Sequence, residues 1–277
     1  MHREISLNVK EFRKIIREYY TKPRPDPFLD WFKEQKKAGV FQSLFEKVLI
    51  VIVDARFDQA TKAENALENT KRVFEAGLIR KEPVKLNEVP DLIPVADTTS
   101  KKWAENFFLA HRMMVNYAED IIEGRRWTAE ELVKKVQKVP YLGPKTSRLC
   151  VRWLHELIGD LEVDMSSYKV PVDRLLYRVA CRLGIVNPYR EKYWVGYEGG
   201  PADEKIQDFA RKAFPENPGL IDEPMWSEGR MPQDGGHCYP KNPIHYGCLF
   251  ESVCPKKYDD VDPSRIGLVT YRSQRFV

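Results

Sequence analysis

Apolar residues recur at helical spacing along most of the chain. Over residues 8–20 they define an amphipathic helix, ended by the KPRPDP punctuation from Lys22 to Pro27. Residues 28–37 suggest a short second helix carrying Phe28, Trp31 and Phe32. From Phe41 to Val53 the spacing fits a buried helix. Its VLIVIV core has the composition of a strand, but no other stretch offers a partner strand of comparable strength. Further helices are expected near 61–76, 101–123, 128–138, 145–158, 173–184 and 203–213. Past about residue 215 the periodicity fades into a Pro- and Gly-rich region, the composition of a segment held by something other than its own secondary structure. The pattern predicts an all-α architecture, without internal repeats or low-complexity tracts.

With 277 residues the chain is long enough for one or two domains. Its 12% aromatic content argues against disorder. Lys plus Arg exceeds Asp plus Glu only by 45 to 41, which permits a local basic patch without demanding one. The charged, amphipathic N-terminus lacks the apolar core of a signal peptide, and the longest apolar run, Val48 to Val53, is too short to span a bilayer. The expectation is a soluble protein inside the cell, in cytoplasm or nucleoid, with no membrane partner. Of the five cysteines, Cys238, Cys248 and Cys254 crowd near the C-terminus, which in a reducing compartment reads as metal ligation rather than disulfides. Cys150 and Cys181 fall on expected helices and read as core residues.

Two segments carry candidate chemistry. In VPYLGPKTSRL, residues 139–149, a helix runs into Pro140, a tight turn containing Gly143, and a new helix opening near Pro144 and Lys145. Backbone N–H groups at such a helix start attract anions, so the turn suits a phosphate; an ordinary interhelical turn is the alternative. In KVPVDRLLYRVACRLGIV, residues 169–186, Asp173 sits at the natural N-cap of a helix whose apolar face is Leu176, Val179, Ala180 and Leu183.

Taken in succession, VPYLGPKTSR and VPVDRLLYRVACR resemble the helix-hairpin-helix and catalytic-aspartate segments of endonuclease III and its 8-oxoguanine glycosylase relatives. YAEDIIEG, residues 117–124, resembles the helix before that hairpin, and the likeness extends over about 40–260. The resemblance implies a two-lobed fold: residues 40–168 as a helical-barrel lobe, and residues 1–39 with 169–277 as a terminal lobe. It further implies a monomer that takes double-stranded DNA containing a base lesion or mismatch across the cleft between the lobes. Lys145 falls on the family's catalytic lysine and Asp173 on its catalytic aspartate. Tyr141, Leu142, Gly143 and Thr146 become DNA-binding hairpin residues, and Arg56, in VLIVIVDARFDQAT, falls near the side chain that fills the gap left by an extruded base.

The implied chemistry is base excision with strand cleavage. A lysine amine attacks the sugar C1′ and forms a Schiff base that permits β-elimination. Its pKa must first be lowered, by burial or by a positive field such as a helix N-terminus. Asp173 would stabilise positive charge developing on the sugar. Tyr141 stands where the family has a hairpin glycine, and the interval from Lys145 to Asp173 is longer than the family's, with Asp164 nearer the usual spacing. If Lys145 binds phosphate instead, the chain is a monofunctional glycosylase; if Asp173 only caps a helix as well, it is a non-catalytic DNA-binding protein. Tyr141, Trp194 and Trp226 are aromatic candidates for a lesion pocket, with core packing the alternative for the tryptophans.

The segment HCYPKNPIHYGCLFESVCPKKY, residues 237–258, places Cys238, His245, Cys248 and Cys254 in the spacing C-x6-H-x2-C-x5-C. It resembles the C-x6-C-x2-C-x5-C iron–sulfur loop of endonuclease III-type enzymes, which implies a [4Fe–4S] cluster with Cys3His ligation. A Cys3His zinc site is the alternative. Such a loop would also present Lys241, Lys256 and Lys257 to phosphates.

Overall fold

The structure is a computed structural model that describes residues 7–22, 26–58, 63–94, 99–124, 126–140, 142–195, 199–230 and 235–270. It is mostly helical, with eleven α-helices and four three-residue strands among the described residues. In chain order, α1 is Val9–Thr21, α2 Pro27–Lys37, α3 Leu44–Asp58, α4 Ala63–Glu75 and α5 Ser100–Gly124. Then come β1 (Arg126–Thr128), α6 (Ala129–Val136), α7 (Pro144–Leu157) and β2 (Glu162–Asp164). The rest comprises α8 (Arg174–Arg182), β3 (Tyr193–Val195), α9 (Pro201–Ala213), α10 (Asp222–Gly229), α11 (Pro263–Gly267) and β4 (Leu268–Thr270). The chain divides into two compact units, residues 24–167 and residues 1–23 with 168–277.

In the unit of residues 24–167, α3 is the central element. The VLIVIV run is helical, and Val48 to Val53 are each 1% exposed or less. α4, α5 and α7 pack around α3, so its VLIVIV stretch, apolar on every side, is buried on every side. Each such aliphatic side chain contributes about 1.5–3 kcal/mol by leaving water. α2 belongs here, correcting its expected place with the terminal lobe. Its Phe28 ring lies 5.0 Å from Trp153 of α7, and Phe32 lies 4.7 Å from Phe41. Asp26 starts the helix by accepting from the Phe28 and Leu29 N–H groups. Two strands were absent from the all-helical expectation: β1 and β2 pair in parallel, Trp127 opposite Val163. Three-residue strands carry too few alternations to show a period of two.

The other unit gathers α1 and α8–α11 around one core that includes Phe12, Ile16, Leu176, Val179, Ile206, Met225 and Phe250. Asn8 caps α1 through the Lys10 and Glu11 N–H groups, and Phe12 from that helix stacks on Phe250 at 5.5 Å. Through Phe250 the C-terminal segment is part of this core although it lacks regular structure of its own. α10 and α11 lie within the region where periodicity fades, and a second parallel pair, β3 with β4, joins Trp194 to Val269.

Candidate functional site

The hairpin segment lies in the unit of residues 24–167. Helix α6 closes at Gln137, and the turn tightens through the Leu142 N–H donating to the Val139 carbonyl at 3.1 Å. Gly143 is the N-cap of α7 and Pro144 its first residue, where a missing N–H costs no helical bond. Lys145, second in α7, is exposed. The residue therefore stands in the first turn of a helix and is not buried. Leu142 and Thr146 are buried, and the Thr146 hydroxyl donates to the Gly143 carbonyl at 3.2 Å. What these two residues can offer a phosphate is accordingly backbone. Tyr141 lies outside the described residues.

Asp173 and Asp164 occupy different settings. Asp173 is the N-cap of α8, and its Oδ1 accepts from the Leu175 and Leu176 N–H groups, both at 2.9 Å. Asp164 is the exposed last residue of β2, accepting from the Ser166 N–H at 2.9 Å, a bond that holds its carboxyl below the usual range. Asp173 starts an α-helix, whereas Asp164 precedes only the single 3-10 turn of Met165–Ser167.

Arg56 overturns one expectation. It is 1% exposed, donates through Nη2 to the Asn106 carbonyl at 2.9 Å, and lies 5.7 Å over the Trp103 ring. A side chain that must enter a duplex has to be at the surface, so Arg56 is a core residue and not the gap-filling wedge. Trp226 is half-buried under Arg230, 5.2 Å away, and Trp194 is half-buried in β3 against Gly200.

The C-terminal loop is organised by two arginines of α8 that the sequence reading did not single out. Arg178 donates from Nε to the Cys238 carbonyl at 2.7 Å and from Nη2 to the Gly229 carbonyl. Arg182 donates to the Cys238 sulfur at 3.2 Å and to the carbonyls of Tyr239, Pro240 and Val261. Their i, i+4 spacing in RVACR, which places both on one helix face, was the available signal. Glu228 braces the other side, accepting from His237 Nδ1 and from the Leu249 N–H, both at 2.9 Å. Asn242, Lys256 and Tyr258, the non-glycine residues with positive φ among the described residues, all lie in this loop. Such conformations cost about 1–3 kcal/mol each and persist where surrounding contacts fix them.

Burial pushes the thiols of Cys238, Cys248 and Cys254 above the ordinary range, opposed at Cys238 by Arg182 and Arg178. All three pack on one core. His245 Nε2 lies 2.7 Å from Asp259 Oδ2, which leaves Nδ1 for a metal; a carboxylate on the second ring nitrogen is usual for ligating histidines. A single zinc needs its donors within about 2.0–2.3 Å of one point. Among the described residues no group of three or more His, Cys, Asp or Glu side chains is arranged to hold a metal ion of any kind. A four-iron cluster spreads its ligands over separate irons and asks only that they face one pocket, so this donor set suits it in kind.

No family model, curated protein or solved structure matches the chain. Among the described residues no helix is long and apolar enough to cross a membrane.

Proposed function

We propose that the chain is a helix-hairpin-helix DNA glycosylase with lyase activity, acting inside the cell on duplex DNA that carries a damaged or mismatched base. The observation that carries this reading is the position of Lys145. Lys145 is exposed at the second residue of a helix opened by Gly143 and Pro144, a setting in which backbone donors favour phosphate. In the proposed reaction the Lys145 amine attacks C1′, and the glycosidic electron pair leaves with the base. The lysine nitrogen then expels O4′, which takes a proton as the sugar ring opens, and the resulting iminium acidifies the C2′ proton, whose loss expels the 3′ phosphate. Asp173 stabilises the positive charge that builds on the sugar.

A [4Fe–4S] cluster held by Cys238, His245, Cys248 and Cys254 completes the proposal; when bound it supplies a covalent staple for a segment with little regular structure. The exposure of Lys145 favours one second reading, a monofunctional glycosylase in which a solvated ammonium contacts phosphate. Borohydride trapping on a panel of lesion duplexes separates the two, because only a Schiff base is reduced to a stable protein–DNA adduct.

A further inference from the structure

We propose that Arg182 is a positioning residue that fixes the C-terminal loop in its ligand-bearing conformation before any metal binds. The proposal rests on contacts within the protein and goes beyond the cluster reading; it holds whichever group the cysteines accept. Arg182 is 1% exposed, and its guanidinium meets both ends of the loop. At the entry, Nη1 donates to the Cys238 sulfur at 3.2 Å and to the Tyr239 carbonyl, while Nη2 donates to the Pro240 carbonyl at 3.0 Å. At the exit, Nη2 reaches the Val261 carbonyl at 3.5 Å, and Nε lies 3.9 Å from Asp259 Oδ1. The other oxygen of Asp259 holds His245, and the Asp259 carbonyl accepts from the Asn242 N–H at 2.9 Å. The Arg182 carbonyl also lies 3.7 Å from the Cys254 sulfur.

One buried cation thus touches Cys238 directly, His245 through Asp259, and Cys254 through its own backbone. A metal centre would close the same loop from the same residues. The planar guanidinium suits this task because its donors form a fixed fork, whereas an ammonium is a single point. A buried charge with several satisfied donors over-determines the loop, since moving any acceptor strands the cation. That over-determination accounts for left-handed backbone at Asn242, Lys256 and Tyr258 in a stretch without helix or sheet.

The test uses full-length protein stripped of metal by chelation, with amide hydrogen exchange measured over residues 238–261 and over α9 as an internal control. Metal-free wild type and a Cys248→Ser, Cys254→Ser double variant are expected to keep slow exchange at Asn242, Ile244 and Cys254, amides bonded to Asp259, His237 and Phe250. Arg182→Gln is expected to exchange at least tenfold faster there while α9 stays protected. If Arg182→Gln unfolds the whole unit, Arg182→Lys decides: it keeps the charge but loses the fork, and should free the loop with α9 intact. A loop unprotected in metal-free wild type overturns the proposal, and so does wild-type protection in Arg182→Lys. Reconstitution with iron and sulfide adds a separate readout, in which Arg182→Gln takes up little iron and Arg182→Lys partly rescues it. A wild type that protects its loop yet takes up no iron refutes the cluster reading and leaves the Arg182 proposal standing.

Discussion

Arg56 donates from Nη2 to the backbone carbonyl of Asn106 at 2.9 Å, tying the end of α3 to α5 inside the unit of residues 24–167. The contact converts a residue expected at the DNA surface into a structural one. Arg56→Ala should destabilise this unit by about 2–4 kcal/mol, the scale for emptying a buried site and stranding its acceptor. Urea unfolding followed through tryptophan fluorescence measures it. A surface wedge would give the opposite pattern, with stability unchanged and base extrusion impaired.

Asp173 and Asp164 can be separated by the same substitution. Asn caps helices nearly as well as Asp, so Asp173→Asn should leave stability within about 0.5 kcal/mol. Base release should nevertheless fall by about a hundred- to a thousandfold, the scale for losing one electrostatic stabiliser of a transition state. Asp164→Asn should leave single-turnover base release unchanged. The reverse ranking would transfer the catalytic role to Asp164.

His111 gives the unit of residues 24–167 an acid sensitivity. It is buried, its Nε2 lies 2.8 Å from the Leu78 carbonyl, and burial lowers its pKa below the ordinary histidine value of 6.5. The unfolded chain therefore binds more protons than the folded one between the two pKa values. Stability is full above about pH 6.5, declines as pH falls towards the folded value, and is flat below it. His111→Gln should reduce the loss of Tm between pH 7.5 and 5.5. An unchanged pH dependence would show that His111 does not set it.

The cysteine loop makes a compositional prediction. Protein purified anaerobically should be brown, with about four irons per chain. His245→Cys should retain the cluster and His245→Ala should make it labile. Colourless protein with stoichiometric zinc that takes up no iron and sulfide would contradict the cluster.

The helical class was legible in the apolar spacing, and α3 could be read as a helix because VLIVIV found no partner strands in the sequence. The cap of α8 was legible too: Asp173 accepts from N–H groups of the helix it precedes. Arg56 was misread because a charged residue at a helix end ordinarily faces water. Its burial comes from the Phe57 and Trp103 rings and from the Asn106 carbonyl, and Asn106 lies 50 positions away in sequence. The membership of α2 was hidden for a similar reason, since its partners Phe41, Phe74 and Trp153 come later in the chain. Within the C-terminal loop, cysteine spacing was visible but Arg178 and Arg182 were not. Most of their acceptors are backbone carbonyls, and a carbonyl leaves no mark on the sequence.

The central claim is that the Lys145 amine forms a covalent bond with the deoxyribose of damaged DNA. Borohydride trapping of the wild type and of Lys145→Gln, on duplexes each carrying one lesion or mismatch, tests it most directly. Wild type should give a stable protein–DNA adduct on at least one duplex, and Lys145→Gln should give none while still binding that duplex. An undiminished adduct in the variant, or no adduct from wild type on any duplex it cuts, would contradict the account.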